Sequence, residues 1–299
     1  MIFSDSHCPP SLRLCWVLVM SFINYIRVTK PRETSLLVFI GCAGAILSSN
    51  AQITLSNLLF ILGVVLLGSG GANALTNYMD RNVDAKMKRT ANRVLPAGLI
   101  ADPARALRWA LFLLTLSLGI TLWVQPLAFA VGFICVVAAT IGRKTWLTHF
   151  MGSISSLGPF AVAWLLVDTD IGLSFLLFCL LIMIWVPVHV WNLMLFCKDD
   201  YLAAEVNIFP LNFGEIRTVK ITCFLCLILY AIGVLVYIFG QLGLIYLVSF
   251  HVAIVPLISA NILLIAKPTK EMSRYLFKLS AFPFLGILFL GSILDLYLI

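Results

Sequence analysis

The sequence predicts an all-α membrane protein that crosses the bilayer several times. Of its 299 residues, 62% are apolar and only 11% are charged, and the mean hydropathy is +1.05. Soluble domains are about half apolar and a quarter charged. A helix needs about 20 mostly apolar residues to cross the roughly 30 Å of bilayer hydrocarbon. The chain contains a succession of such stretches, which excludes an ordinary cytosolic globular protein.

Nine apolar stretches follow one another, and each is predicted to be a transmembrane helix. A further apolar piece, residues 12–26, is short and contains Arg13. It is expected in the membrane interface or as part of the first helix. Because no connection exceeds roughly 25 residues, we expect one membrane domain over residues 1–299, with residues 1–33 as a cytoplasmic or interfacial segment. The nine spans are expected at roughly residues 35–50, 55–78, 104–123, 126–141, 150–167, 171–196, 218–238, 243–266 and 277–298.

The basic residues indicate how the helices are oriented. Cytoplasmic loops of membrane proteins are enriched in Lys and Arg. All 20 Lys and Arg residues of this chain precede the first span, or fall in alternate connections or within about five residues of them. The N-terminus is therefore expected in the cytoplasm and the C-terminus outside, in the plasma membrane if the organism is prokaryotic. Basic loops beside anionic membrane lipid account for part of the net charge of +7, so no nucleic-acid partner is expected.

A row of polar residues at the end of the second span carries the strongest sign of chemistry. Asn73, Asn77, Asp80 and Asp84 are spaced four, three and four residues apart, which places them on one face of a helix. Carboxylates one turn apart repel each other unless a cation lies between them, and Mg²⁺ is held through one or two carboxylates plus phosphate oxygens. Basic residues that can hold further phosphate oxygens follow at Lys86, Lys88, Arg89 and Arg93. Together these residues predict a diphosphate site.

A second acidic pair, Asp199 and Asp200, follows Lys198 at the same end of the sixth span. Adjacent residues on a helix point in different directions, so we expect only one of the two aspartates to matter. Upstream, a proline inside the span frees a backbone carbonyl, often beside a cavity. His189 and Asn192 lie three residues apart on one face there, and both a structural and a substrate-binding role are open for them.

The acidic motif has a recognisable continuation. Residues 77–98 read N-Y-M-D-R-N-V-D-A-K-M-K-R-T-A-N-R-V-L-P-A-G, residues 29–32 read T-K-P-R, residues 143–145 read R-K-T, and W-V-P-V-H at 185–189 is followed by D-D-Y-L-A-A at 199–204. In these motifs the chain resembles the UbiA superfamily of intramembrane prenyltransferases, from about residue 25 to the C-terminus. It is most similar to the branch that transfers a farnesyl group to heme B. The chain departs from the family pattern at Thr76, Gly142, Thr148 and Glu205, where the family usually has Asn, Lys, Asn and Gly.

The resemblance implies a nine-helix bundle with a lateral opening to lipid. It also implies two Mg²⁺ ions, held by Asp80 and Asp84 and by the Asp199/Asp200 pair, that bind the diphosphate of farnesyl diphosphate. Loss of the diphosphate leaves an allylic cation, which a vinyl group of heme B attacks, and water completes a hydroxyethylfarnesyl side chain. The product would serve downstream heme enzymes. The basic residues implied in substrate binding are Lys30, Arg32, Arg143 and Lys144, and Lys198 is a further candidate for substrate binding. Lys30, Arg32 and His189 are candidates for contacts with the propionates or the iron of heme B.

Two other functions remain open from the sequence. One is a UbiA-type enzyme whose acceptor is a quinone precursor or a glycerol-phosphate lipid. The other is a membrane transporter or lipid scaffold. The second is disfavoured because no span carries an Asp, Glu, Lys or Arg near its middle, where transporters usually place carboxylates.

Overall fold

The computed structural model describes residues 21–298, and within that range the chain is a bundle of α-helices without a β-strand. Residues 21–28 form a helical segment that precedes the bundle. The twelve helices that follow are α1 (Pro31–Ser48), α2 (Leu55–Asp84), α3 (Pro103–Val124), α4 (Pro126–Thr140), α5 (Thr148–Leu165), α6 (Leu173–Phe196), α7 (Lys198–Ala203), α8 (Phe209–Phe213), α9 (Glu215–Phe239), α10 (Leu244–Ala266), α11 (Lys270–Leu279) and α12 (Phe282–Leu298).

The helices confirm an integral, multi-pass membrane protein. A helix covers each of the nine predicted spans, namely α1 to α6, α9, α10 and α12. Six segments of the described chain are long and apolar enough to cross a membrane: α2, α3, α6, α9, α10 and the continuous run of α11 and α12. The helices α1 and α5, with 18 residues each, and α4, with 15, are not among these six. The exact number of nine crossings therefore stays a prediction.

Most of the predicted apolar piece at residues 12–26 lies outside the described residues. Its last part belongs to the helical segment 21–28. That segment ends before Lys30, whose φ of 52° breaks the helical path, and Pro31 then opens α1. Proline favours the first turn of a helix because its fixed φ suits that position and its missing N–H needs no partner there. The described part of the piece is thus separate from α1.

Small residues bring α2 and α3 into close contact. An added Cβ at Gly71 would lie 2.9 Å from Leu114 Cγ, and one at Gly68 would lie 2.9 Å from Ser117 Oγ. The Ser117 hydroxyl donates a hydrogen bond of 2.9 Å to the carbonyl oxygen of Val64 across this contact. The glycine-rich stretch around residue 70 therefore permits close helix packing, as small residues commonly do in membranes.

The end of the bundle at which α2, α4 and α6 terminate gathers the polar motifs. Met87, in the connection after α2, is completely buried and packs in a cluster that also contains Trp191, Met194 and Tyr201 from α6 and α7. This apolar contact fixes the connection after α2 against the segment that carries the second acidic pair. Residues far apart in the chain thus meet at one end of the helices.

Candidate active site

Asp80 and Asp84 are buried at the C-terminal end of α2, with 4% and 1% of their surface exposed. The C-terminus of a helix carries the negative end of the helix dipole, so it is an unfavourable place for two carboxylates. Burial of unpaired charge adds a further cost. The two aspartates therefore require cations close by.

Three basic side chains surround the two carboxylates. Arg143 binds Asp80 through two nitrogens, with Nε 2.9 Å from Oδ1 and Nη2 on Oδ2. Arg93 Nη1 donates a hydrogen bond of 2.7 Å to Asp84 Oδ2. Lys144 bridges the pair, since its Nζ lies 3.8 Å from Asp80 Oδ2 and 3.5 Å from Asp84 Oδ1. We call these five residues the inner charge cluster.

The turn between α4 and α5 places Arg143 and Lys144 beside the two aspartates. Gly142 has a φ of 65°, and its carbonyl oxygen accepts hydrogen bonds from the hydroxyls of Thr145 (2.7 Å) and Thr148 (2.6 Å). A Cβ at position 142 would lie 2.6 Å from the Cβ of Leu147. Glycine therefore suits this turn better than any residue with a Cβ.

The second acidic pair splits between two environments. Asp200 Oδ2 accepts a hydrogen bond of 3.1 Å from the backbone N–H of Arg89, so it faces the connection that follows Asp84. Asp199 forms an ion pair with Lys270, and its side chain is 73% exposed. The hydrogen bond from Lys270 lowers the pKa of Asp199 below its usual value. Lys198 pairs with Glu215 and also faces away from the cluster.

Two asparagines of α2 hold the segment before α1 and the first turn of α1. Asn77 Nδ2 donates a hydrogen bond of 2.6 Å to the carbonyl oxygen of Val28, and Asn73 Nδ2 donates one of 2.9 Å to Thr34 Oγ1. Lys30 lies between these two anchors, beside Arg143 at one end of a cavity. Burial, and then the charges of Arg93 and Arg143, lower the pKa of Lys30 to about 8. Arg32, Lys88 and Arg89 are exposed at the same end.

The structure does not bring His189 and Asn192 to the inner charge cluster. His189 stacks between Trp185 and Phe277, with ring centroids 5.0 and 4.6 Å away, and its Nδ1 lies 2.9 Å from Ser280 Oγ. Asn192 is fully buried and donates a hydrogen bond of 2.7 Å to the carbonyl oxygen of Val188. His189 thus joins α6 to α11 and the residue after it, whereas Asn192 Oδ1 is buried and accepts no hydrogen bond from the described residues. A substrate-binding role of the two residues stays a prediction.

A cavity of about 260 Å³ extends from Lys30 and Arg143 into the bundle between α1, α2, α3, α4 and α5. Gly132, Val136 and Ala139 line it from α4 at spacings of four and three residues, which is one helix face, and Arg143 lines it from the connection that follows. Sequence reasoning did not single out Gly132 or Ser117, although this spacing of small residues ahead of Arg143 is visible in the sequence. Most of the remaining lining residues are apolar or small.

The residues present fit a divalent cation that also needs phosphate oxygens. In the described part of the chain, no three His, Cys, Asp or Glu side chains gather as a metal site, so the four predicted aspartates do not form one ligand set. Asp84 Oδ1, however, is buried and accepts no hydrogen bond from the described residues. Mg²⁺ is commonly bound by one or two carboxylates and completed by substrate phosphates. Asp80 and Asp84 meet that requirement.

The fold and this site define an intramembrane prenyltransferase. Residues 37–285 match the UbiA prenyltransferase family, so the chain belongs to that family. Among its relatives is the protoheme IX farnesyltransferase of Desulforudis audaxviator, which is 32% identical over 282 residues covering 92% of this chain and 88% of the relative. The protoheme IX farnesyltransferase of Thermoplasma volcanium is 32% identical over 286 residues, covering 92% and 98%.

Solved structures share the fold. A structure of digeranylgeranylglyceryl phosphate synthase superposes with a TM-score of 0.74 at 19% identity, covering 93% of this chain and 99% of that one. A UbiA homolog from Archaeoglobus fulgidus, bound to GPP and Mg²⁺, superposes with a TM-score of 0.64 at 13% identity, covering 89% and 99%. At these identities the similarity supports the helix arrangement alone.

Proposed function

We propose that the protein transfers the farnesyl group of farnesyl diphosphate to a vinyl group of heme B. The observation that carries the proposal is the inner charge cluster at the mouth of an apolar cavity, with Asp80 and Asp84 buried among Arg93, Arg143 and Lys144. This arrangement suits a substrate that has a charged diphosphate at one end and a hydrocarbon chain at the other.

The basic residues bind and stabilise the leaving diphosphate. Breaking the allylic C–O bond places negative charge on the diphosphate, and cations already aimed at that position favour the transition state. Arg143, Arg93 and Lys144 supply fixed positive charge, and Lys30 adds to it at the cavity end. Bound Mg²⁺, held by Asp80 and Asp84, would supply further charge stabilisation of the leaving group. Asp200 positions the connection that carries Arg93 through its hydrogen bond to Arg89.

The cavity holds the hydrocarbon chain of the donor and excludes water from the allylic cation. Each buried methylene contributes about 0.8 kcal/mol, so a farnesyl chain binds mainly through apolar burial. The hydroxyls of Ser117, Thr121 and Ser155 in the lining donate to backbone carbonyl oxygens. They therefore present little polarity to the chain.

The names of the relatives support heme B as the acceptor, since the two cited above are protoheme IX farnesyltransferases. The distribution of basic residues supports an inner charge cluster that faces the cytoplasm, where diphosphate donor and Mg²⁺ are available. In this orientation the N-terminus is cytoplasmic and the C-terminus lies outside. The acceptor and the product are membrane-soluble, and the product would pass to downstream heme enzymes through the lipid.

The proposed function is tested by offering the protein three different acceptors. Purified full-length protein in lipid nanodiscs is incubated with farnesyl diphosphate, Mg²⁺ and, in parallel, heme B, a quinone ring precursor or a glycerol-phosphate lipid. Mass spectrometry should detect a farnesylated hydroxyethyl heme, and only when Mg²⁺ is present. Prenylation of either other acceptor without a heme product would contradict the proposal.

A further inference from the structure

Lys144 lies in front of the two carboxylates that would hold a metal ion. Its ammonium is 3.5 Å from Asp84 Oδ1 and 3.8 Å from Asp80 Oδ2. The other carboxylate oxygens are bound by Arg143 and Arg93. Asp84 Oδ1 is thus the oxygen free to accept a metal, and Lys144 is the cation in front of it.

The inner charge cluster already carries more positive than negative charge. Two carboxylates face Arg93, Arg143 and Lys144, and Lys30 lies close enough to interact with Asp80 as well. These four cations exceed the two carboxylates by two positive charges. A divalent ion that entered alone would add to this excess, in a buried place where charges are poorly screened. A diphosphate that entered with it would offset that charge. The cluster without donor therefore favours anions and disfavours metal.

The backbone holds Lys144 in an uncommon conformation. Its φ is 58°, in the left-handed region that residues other than glycine rarely occupy. The neighbouring turn, closed by the hydroxyls of Thr145 and Thr148 on the Gly142 carbonyl oxygen, fixes this conformation. A lysine kept at a strained position points to a use of its side chain.

The Lys144 side chain also has another group to contact when it leaves the carboxylates. Its Nζ lies 5.7 Å from the centre of the Tyr201 ring, and Tyr201 is buried with 4% of its surface exposed. A lysine side chain has four flexible carbon–carbon bonds, so its ammonium can move between the carboxylates, this ring face and a phosphate oxygen with little change of backbone.

We propose that Lys144 occupies the metal position in the donor-free protein, so that Mg²⁺ binds Asp80 and Asp84 only with a diphosphate that takes up the Lys144 ammonium. Lys144 is then a positioning residue that sets the order of binding. The proposal rests on the proposed function in so far as the diphosphate belongs to the prenyl donor. The binding order itself is measurable without any turnover.

The experiment measures Mn²⁺ binding to the purified full-length protein by electron paramagnetic resonance, with and without inorganic diphosphate. Mn²⁺ accepts the same oxygen ligands as Mg²⁺. The wild type should bind Mn²⁺ at least about tenfold more tightly with diphosphate than without it. Lys144→Met should bind Mn²⁺ without diphosphate, and adding Asp84→Asn to that variant should abolish this binding.

Two controls separate charge from packing. Lys144→Arg keeps the positive charge and should behave as the wild type, whereas Lys220→Met removes an exposed charge from α9 and should change nothing. If Lys144→Met does not fold, as judged by its melting curve, Lys144→Gln takes its place.

Equal Mn²⁺ affinity of the wild type with and without diphosphate would overturn the proposal, as would equal affinity of the wild type and Lys144→Met without diphosphate. If the binding order is found but heme B is not farnesylated, the proposed function fails while this inference stands. If heme B is farnesylated and the binding order is absent, only this inference fails.

Discussion

The backbone N–H of Arg89 donates a hydrogen bond of 3.1 Å to Asp200, and this contact joins two acidic segments that are 111 residues apart in the chain. It distinguishes Asp200 from its neighbour Asp199, which turns outward to Lys270. One aspartate of the pair is thus tied to the connection that carries Arg93, and the other belongs to the protein surface.

Replacing the two aspartates singly should therefore give different results. Asp200→Asn weakens a hydrogen bond to a charged acceptor and loosens the connection that carries Arg93, so we expect kcat/KM to fall about tenfold or more. Asp199→Asn breaks only an exposed ion pair, which contributes little, and should stay within about twofold of the wild type. Both are measured as heme B farnesylation under the same conditions. Equal losses in the two variants would contradict this assignment.

Donor binding should depend on the protonation of Lys30. Because the pKa of Lys30 is lowered to about 8, its ammonium is largely present below that pH and is lost as the pH rises above it. The charged form attracts the diphosphate, so affinity for a non-reactive farnesyl diphosphate analogue should fall as the pH rises through about 8, by at most tenfold per pH unit. Binding is measured by calorimetry across this range.

Lys30→Arg is the matched control for the pH dependence. An arginine remains charged throughout this range, so the variant should keep its affinity above pH 8 where the wild type loses it. The ionisation of the donor itself is the same in both experiments. Parallel pH profiles for the two proteins would show that another group is responsible.

The size of the cavity should limit the length of the hydrocarbon chain that the donor can carry. An added Cβ at Gly132 would lie 3.2 Å from Val162 Cγ2 and 3.5 Å from Leu118 Cδ2, so a leucine there would occupy cavity space. We expect Gly132→Leu to lower kcat/KM for farnesyl diphosphate by about tenfold or more relative to geranyl diphosphate. Gly119→Leu is the control, because an added Cβ at this exposed position meets no atom within 4 Å. If Gly132→Leu keeps the wild-type preference between the two donors, the farnesyl chain binds outside this cavity.

The proposed orientation can be tested by labelling introduced cysteines in sealed cells. Asn92, after α2, and Thr169, between α5 and α6, are both exposed. In a protein whose native cysteines are replaced, a membrane-impermeant thiol reagent should label Thr169→Cys from outside and Asn92→Cys only after the cytoplasm is opened. Labelling of Asn92→Cys in intact cells would reverse the topology.

The sequence predicted the helices better than it predicted the contacts between them. Hydrophobic runs and prolines at positions 31, 103 and 126 mark helices and their starts locally, and each predicted span coincides with a helix. Asp80 and Asp84 could be selected because their spacing and charge are local as well. The pairing of Asp80 with Arg143, 63 residues away, depends on how α2 and α4 pack, which no local pattern contains.

The same reason explains the placement of His189. Its polar character in an apolar span allowed a structural or a substrate-binding role. Its neighbours Phe277 and Ser280 come from a part of the chain about 90 residues further on, and only the packing of α6 against α11 shows them. Likewise, the outward turn of Asp199 depends on Lys270, at the start of α11.

The most direct test of the site is Asp84→Asn, assayed for Mg²⁺-dependent farnesylation of heme B. The substitution keeps the shape of the side chain and removes the charge that faces Arg93 and Lys144. Asp102→Asn is the control, because Asp102 is an exposed helix cap and asparagine caps equally well. We predict a loss of about 10²-fold or more in kcat for Asp84→Asn and none for Asp102→Asn, with both proteins folded. Wild-type turnover by a folded Asp84→Asn protein would show that the Asp84 carboxylate is not part of the active site.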